Sequence, residues 1–308
     1  MRVSFANTLL EIADRDPRVV LLTGDLGFTV WEPFAARFPD RFVNAGVAEQ
    51  NMVGMATGLA EAGFIPFVYS IATFMSMRPY EFIRNGPVQH GLPVRVVGVG
   101  GGFDYGHNGI SHYALEDIGL MRLQPGLTLI APADPEQTRA AVEATWQQPG
   151  PVYYRLGKQA EAIPALDSRF ELGRAQIIRD GDDIALIALG AVAAEAVHAL
   201  RVLSERGIKA TLVVVSCVQP APEQDLLEVL SRVPLAVTAE DHYVTGGVGS
   251  LAAETIAEHG LSCRLVRCGP RRMPIGDTGS RSYLHDRYGL SAAKLTDAAL
   301  SALSLARS

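Results

Sequence analysis

Two stretches of this 308-residue chain hold side chains disposed to do chemistry. In RFVNAGVAEQNMVGMATGLA (41–60) a strand-like run ends at Gly46, and Glu49 falls on the first turn of the helix that follows. An acid there complements the helix dipole. The same helix carries Gly54 and Gly58, small enough for close packing. In FDYGHNGISHY (103–113), His107, Asn108, Ser111 and His112 lie in a segment too polar and glycine-rich for a core. An imidazole in such a loop is available for proton transfer or hydrogen bonding. Between the two stretches Phe74, Met77 and Tyr80 recur at helical spacing, which serves equally for core packing and for lining a pocket. Asp104, His107 and His112 are close in sequence, but their spacing matches no strong zinc signature, and no metal ligand is assigned.

The elements that must position these residues alternate. Residues 3–15 have helical apolar spacing, and Val19–Thr23 is a β-branched run closed by Gly24. Strands are expected at 42–46, 64–70, 94–100, 127–133 and 151–156, with helices from Glu49 to Ala62, Phe74 to Asn85 and 135–147. Strands separated by helices imply a parallel α/β sheet covered on both faces. The stretch 157–175, with Pro164 and no sustained period, reads as a linker running over the surface. After it, strands at 183–190, 209–217, 235–241 and 262–269 alternate with helices at 191–206, 222–233 and 249–259, and a final apolar stripe runs through AAKLTDAALSALSLA. The expected architecture is α/β with two domains, 1–165 and a smaller, mainly parallel 173–308.

Composition limits what such a protein binds. Hydrophobic residues make up 48% and charged residues 19%, the balance of a folded chain. A net charge of −6 argues against nucleic acid or an anionic membrane, either of which needs clustered Lys and Arg. Three cysteines, Cys217, Cys263 and Cys268, form no CxxC pair and suit a reducing compartment. The N-terminus lacks a leader-like apolar region, and no run reaches 18 uncharged apolar residues, so a cytoplasmic location is expected.

Several ordered motifs together resemble the transketolase and 1-deoxyxylulose-5-phosphate synthase group of thiamine-diphosphate enzymes. PDRFVNAGVAEQNMVGMATGLA resembles the group's glutamate-bearing segment and YSIATFMSMRPYEFIRN its aromatic cofactor-stacking helix. HNGISHYALEDIGLMRLQPGLTLIAPAD is similar to its histidine-bearing segment, and TAEDHYVTGGVGSLAAETIAEHG to a stretch of its C-terminal domain. The resemblance implies a thiamine-diphosphate pyrimidine-binding domain over 1–165 and a transketolase-like C-terminal domain over 173–308.

It also implies roles. Glu49 is the acid on the far pyrimidine nitrogen, favouring the tautomer whose imino group makes the cofactor's carbanion. Phe74 stacks on the pyrimidine, with Met77 and Tyr80 lining the pocket. His112 hydrogen-bonds developing oxyanions, Asn108 lies beside the substrate, and Arg155 corresponds to an arginine that clamps phosphate, a surface ion pair being its other reading. Two departures alter the donor side: Asn108 replaces the usual Asp, and Gly100–Gly102 stand where phosphosugar enzymes often place another histidine.

The group's GDG…Asn segment, which holds Mg²⁺ and the diphosphate, is missing; GDLG (24–27) matches the start of the pyrimidine domain instead. The resemblance therefore implies the second half of a transketolase, working with a diphosphate-binding chain as a heterotetramer and self-associating. It implies transfer of a two-carbon ketol unit between sugars or sugar phosphates in carbohydrate metabolism. Three other readings stand beside this one. The β subunit of a 2-oxoacid dehydrogenase first component shares domain order and length. A dinucleotide oxidoreductase is suggested by the GxGxxA pattern of Gly247, Gly249 and Ala252, although no acid for a ribose ends the next strand. A non-catalytic scaffold would be marked by loss of the acid, and Glu49 is present.

Overall fold

A computed structural model describes residues 1–158 and 160–307. The chain opens with helix α1 (Arg2–Arg15), strand β1 (Val19–Thr23), α2 (Glu32–Arg37), β2 (Phe42–Asn44) and α3 (Glu49–Glu61). It continues through β3 (Ile65–Ile71), α4 (Ala72–Met77), α5 (Tyr80–Ile83), β4 (Arg95–Val99), α6 (Asp117–Arg122), β5 (Thr128–Ile130), α7 (Pro135–Thr145) and β6 (Val152–Leu156). The second half runs β7 (Gln176–Arg179), β8 (Ile184–Leu189), α8 (Ala193–Glu205), β9 (Ala210–Val215), β10 (Cys217–Gln219), α9 (Glu223–Arg232), β11 (Leu235–Ala239), α10 (Val248–Glu258), β12 (Arg264–Cys268), α11 (Arg281–Arg287) and α12 (Ala292–Arg307). Among the described residues no helix is long and apolar enough to cross a membrane.

Two mostly parallel sheets result, as the alternation of strands and helices requires. The first has the order β10-β5-β6-β4-β3-β1-β2, the second β12-β11-β8-β9-β7. Strand β1 shows why its residues read as one apolar run. Val20 and Leu22 pack on Met52, Val53 and Ala56 of α3, whereas Val19 and Leu21 face Phe5, Leu9 and Ile12 of α1. Both faces are covered, so neither needs a polar residue.

Four expectations are corrected. The helix from Phe74 to Asn85 begins at Ala72 and breaks, because Pro79 has no N–H to continue the ladder; α4 ends at Met77 and α5 starts at Tyr80. The single strand 209–217 is two. β9 belongs to the second sheet, and β10 crosses over to pair antiparallel with β5 at the edge of the first. Ser216 marks the crossing: its hydroxyl donates to Gln137 Oε1 at 2.6 Å, and its carbonyl accepts from the Ala131 N–H at 2.7 Å. Nor does the linker run only over the surface. Ile163 and Leu166 are buried in the core of the second sheet, and Phe170 and Leu172 pack on that of the first. Lastly, β7 was not expected; it pairs antiparallel with β9.

Candidate active site

Because β1 to β4 run parallel, their carboxyl ends share one edge of the sheet, where ligands gather in open α/β folds. Asn44, ending β2, organises the turn that follows. Its side-chain amide donates to Asp25 Oδ1 at 3.0 Å, and its Oδ1 accepts from the N–H groups of Asp25 and Gly46 at 3.1 and 3.0 Å. Gly46 takes φ +72°, a left-handed conformation open to glycine, and the chain turns into α3 with Glu49 as its first residue.

Glu49 is 2% exposed. Its Oε1 accepts from the Ser70 hydroxyl, on β3, at 2.9 Å, and its Oε2 from Nη1 of Arg78 at 2.8 Å. The Arg78 guanidinium carbon in turn lies 4.0 Å from the centroid of the Phe74 ring. The half-buried Phe74 ring meets the His112 imidazole edge to face, with centroids 5.1 Å apart. His112 Nδ1 lies 3.0 Å from the Ser111 hydroxyl, and Tyr105 approaches the imidazole from another side at 6.1 Å between centroids. Lys158 Nζ stands 4.8 Å over the Tyr105 ring. Glu49 and His112, separated by 63 positions in sequence, are thus linked in one chain of contacts that runs from Glu49 to Arg78, on to Phe74 and then to His112.

The other candidates sit differently. Asn108, exposed, ends a helical turn, Gly106–Asn108, on the loop that leads to His112. Met77 is 45% exposed at the end of α4. Tyr80 donates its hydroxyl to the Leu120 carbonyl at 3.1 Å, tying α5 to α6. Asp104 does not turn toward His107 or His112; it accepts from the Lys158 N–H at 2.6 Å and pairs with Arg281 at 3.3 Å. Among the described residues no group of three or more His, Cys, Asp and Glu is placed to hold a metal ion.

Arg155 calls for a correction. It is buried, and neither a free clamp nor a surface ion pair. Nε donates to Asp117 Oδ2 at 2.9 Å, while Nη2 donates to the carbonyls of Ala114 at 3.0 Å and Asp241 at 2.7 Å. Tyr153 donates to the same Asp117 oxygen at 3.0 Å. Asp241 belongs to the second sheet's half of the chain. Its carboxylate accepts from the Phe103 N–H and from His285 Nε2, the latter at 3.0 Å. Burial pushes the His285 imidazole down, but Asp241 and Glu195 outweigh it and hold its pKa above the usual histidine value. His242 donates from Nδ1 to the Tyr243 carbonyl at 2.6 Å and accepts from the Gly119 N–H at 3.1 Å, which fixes one neutral tautomer; burial keeps its pKa low.

This seam also explains the glycine run where another histidine was expected. A Cβ on Gly101 would meet the Arg155 guanidinium carbon at 2.7 Å, and one on Gly102 would collide with the Asp241 carboxylate. The backbone passes too close to the buried ion cluster for any side chain. Ser70, Arg78 and Lys158 were missed by sequence reasoning. For Arg78 a signal existed, since it lies four residues after Phe74, the spacing at which helical side chains meet.

Comparison with known proteins matches residues 1–162 to the transketolase pyrimidine binding domain and residues 173–295 to the transketolase C-terminal domain. A protein from Methanocaldococcus jannaschii named as a transketolase C-terminal section is 38% identical, covering 94% of this chain and 92% of that one. A 6-deoxy-6-sulfo-D-fructose transketolase subunit from a Clostridium species is 37% identical, covering 97% and 93%. Among solved structures, one described as a split-gene transketolase in an inactive β4 tetramer superposes with a TM-score of 0.89 at 35% identity, covering 99% of this chain and 98% of the other.

Proposed function

The chain belongs to the transketolase family, and from that premise we propose that it is one subunit of a split, thiamine-diphosphate-dependent transketolase, active only with a diphosphate-binding partner chain. The observation that carries this reading is the cluster of Glu49, Phe74 and His112: a buried carboxylate linked through Arg78 to an aromatic ring that meets an imidazole, on the loop edge of a parallel sheet. Those groups suit an aminopyrimidine, which needs a carboxyl on its ring nitrogen and a flat apolar face. Val47 at 70% exposed, Met77 at 45% and Ile110 at 40% are large apolar side chains left open near it in sequence, as an interface awaiting a partner would present.

Bound thiamine diphosphate supplies the carbon nucleophile that takes up and passes on a two-carbon ketol unit. In this reading Glu49 holds a proton at the pyrimidine nitrogen, with Ser70 fixing the carboxyl through Oε1. Phe74 carries the ring, and Met77 and Tyr80 bound the same end of the helix. His112 hydrogen-bonds the substrate oxygen on which negative charge develops, with Asn108 beside it on the loop. Lys158, in place of Arg155, is the cation on this rim for an anionic sugar; the sulfo-sugar in the name of the Clostridium relative supports such a substrate. Mg²⁺ and the diphosphate fall to the partner. Two chains of each kind make the assembly, and the boundary between domains 1–165 and 173–308 and a cytoplasmic location complete the proposal.

The test is reconstitution. This chain is purified alone and with a diphosphate-domain transketolase chain encoded beside it, and ketose turnover is measured with thiamine diphosphate and Mg²⁺. The expected result is no turnover alone, turnover in the mixture, and a loss of about a hundred- to ten-thousand-fold for Glu49→Gln. Turnover by the isolated chain would overturn the split site, and a Glu49→Gln complex keeping more than a tenth of its activity would remove Glu49 from the chemistry.

A further inference from the structure

Arg78 sits where α4 ends and Pro79 stops the helix, and its side chain reaches back over the preceding turn. One end of the guanidinium donates to Glu49 Oε2 at 2.8 Å, while the guanidinium carbon lies over the Phe74 ring, 4.0 Å from its centroid. These are the carboxylate oxygen and the aromatic ring that the proposed function gives to the cofactor's pyrimidine. A guanidinium and an aminopyrimidine compete for these two contacts: both are flat, both form in-plane hydrogen bonds with a carboxyl group, and both lie over an aromatic ring. With the guanidinium carbon 4.0 Å from the ring centroid, there is no room for a second flat group between Arg78 and that face of the ring.

We propose that Arg78 is a gate on the cofactor slot: its side chain occupies the contacts on Glu49 and Phe74 and must swing away before a pyrimidine ring can take them. The inference rests on the function proposed above. Two features make it a movable gate rather than a fixed strut. The Arg78 side chain is 43% exposed, so it has solvent to swing into, whereas the Glu49 side chain is 2% exposed and stays put. Ser70 holds Glu49 through the other oxygen, so the carboxylate keeps its position when Arg78 leaves. Opening takes the guanidinium's hydrogen bond from Oε2; a proton from solvent replaces its charge, and Oε2 shares that proton with the pyrimidine nitrogen, which accepts.

A site available only when the gate is open binds with an affinity reduced by the open fraction; a gate closed about nine-tenths of the time costs roughly tenfold. The experiment titrates thiamine diphosphate with Mg²⁺ into the assembled two-subunit complex by calorimetry, comparing wild type, Arg78→Met, Arg78→Lys and Glu49→Gln. A crystal structure of the wild-type complex with cofactor bound accompanies it. Arg78→Met, which keeps the stem but neither donates nor carries charge, is expected to bind roughly tenfold tighter, with Arg78→Lys between it and wild type. In the liganded structure Arg78 is expected off Glu49. Binding by Arg78→Met that is unchanged or weaker, or an Arg78 still paired with Glu49 beside bound cofactor, would overturn the gate. Should Arg78→Met fail to fold, as a melting curve would show, Arg78→Lys and the liganded structure still decide. Glu49→Gln separates the two levels: ketose turnover above a tenth of wild type in that complex would remove the proposed function itself, whereas lost turnover there with no gain in binding by Arg78→Met removes only the gate.

Discussion

Arg155 Nε and Asp117 Oδ2 meet at 2.9 Å with neither side chain open to solvent, and the same guanidinium reaches across to the Asp241 carbonyl. An arginine at the end of a strand of the first sheet therefore joins the two halves of the molecule. Removing one member of such a buried pair strands the other charge. Arg155→Met is expected to cost about 3–5 kcal/mol of stability, read from urea unfolding. It should leave the preference between phosphorylated and unphosphorylated sugars unaltered in whatever complex survives. Unchanged stability with a selective loss on phosphorylated substrates would restore the clamp.

Lys158 carries the opposite expectation. Exposed, and held over Tyr105 beside His112, it can read an anion without supporting the core. Lys158→Met should leave the melting temperature unchanged and lose about ten- to a hundredfold in kcat/KM on sulfonated or phosphorylated sugars, with little loss on neutral ones. Equal losses on charged and neutral sugars would show that the lysine does not read the anion.

For His112, the edge-to-face contact with Phe74 separates chemistry from cofactor positioning. His112→Ala is expected to slow turnover by about 3–4 kcal/mol, the usual cost of one lost donor to a developing oxyanion, while thiamine diphosphate affinity holds. A fall in affinity with normal turnover would make the imidazole a support for Phe74.

Glu240 gives a pH signature. Burial pushes its carboxyl up to about 8, with the Gly249 N–H on Oε1 only partly opposing this, and Oε2 has no hydrogen-bond partner. The folded chain thus keeps a proton that an unfolded glutamate gives up near pH 4.3. Between those values stability falls as pH rises, by roughly 1 kcal/mol per unit. Glu240→Gln mimics the protonated acid. It should match wild type at pH 4 and exceed it at pH 8 in urea midpoints; identical pH profiles would show that the wild-type carboxyl is ionised in the fold.

His285 and Asp241 add a second, separable slope. The raised His285 value means its stabilisation is complete below about pH 6.5 and is lost as pH rises through the folded value. Asp241 is also buried, which pushes its carboxyl up, but His285, Arg281 and Arg155 bring it below the usual carboxylate range. Its contribution is present above about pH 4 and is lost as pH falls through its folded value. In a Glu240→Gln background, His285→Gln should flatten the remaining decline of stability above pH 6.5. Persistence of that decline would place its source elsewhere.

Much of the molecule was legible without coordinates. The strands that became β1, β4, β8 and β11 are short, mostly β-branched or aliphatic runs, and β3 and β6 add aromatic residues; being covered on both faces they carry no polar alternation to confuse the reading. Glu49 could be placed on a first helical turn because Gly46 and the change from strand to helix spacing are local signals. Family membership was readable from the order of several motifs. These are properties of residues near one another in the chain, where a period or a turn is written directly.

What the tertiary structure alone decided involves partners far apart in sequence. Arg155 has the same residue type and strand-end position whether it faces substrate or a buried carboxylate; only the approach of Asp117 and of Asp241, 86 positions away, settles that it locks the domains. The glycine run at 100–102 looked like a lost histidine until the seam beneath Gly101 and Gly102, and the Tyr105 ring against Gly100, left no volume for a side chain. Strand β10 could not be foreseen leaving its neighbour β9, because its pairing partner β5 lies some 90 residues earlier. The Arg78 contact with Glu49 spans 29 positions and two separate helices. A sequence records which groups are available; which of them meet, and so which charges are buried and spent and which stay free to act, is decided by packing.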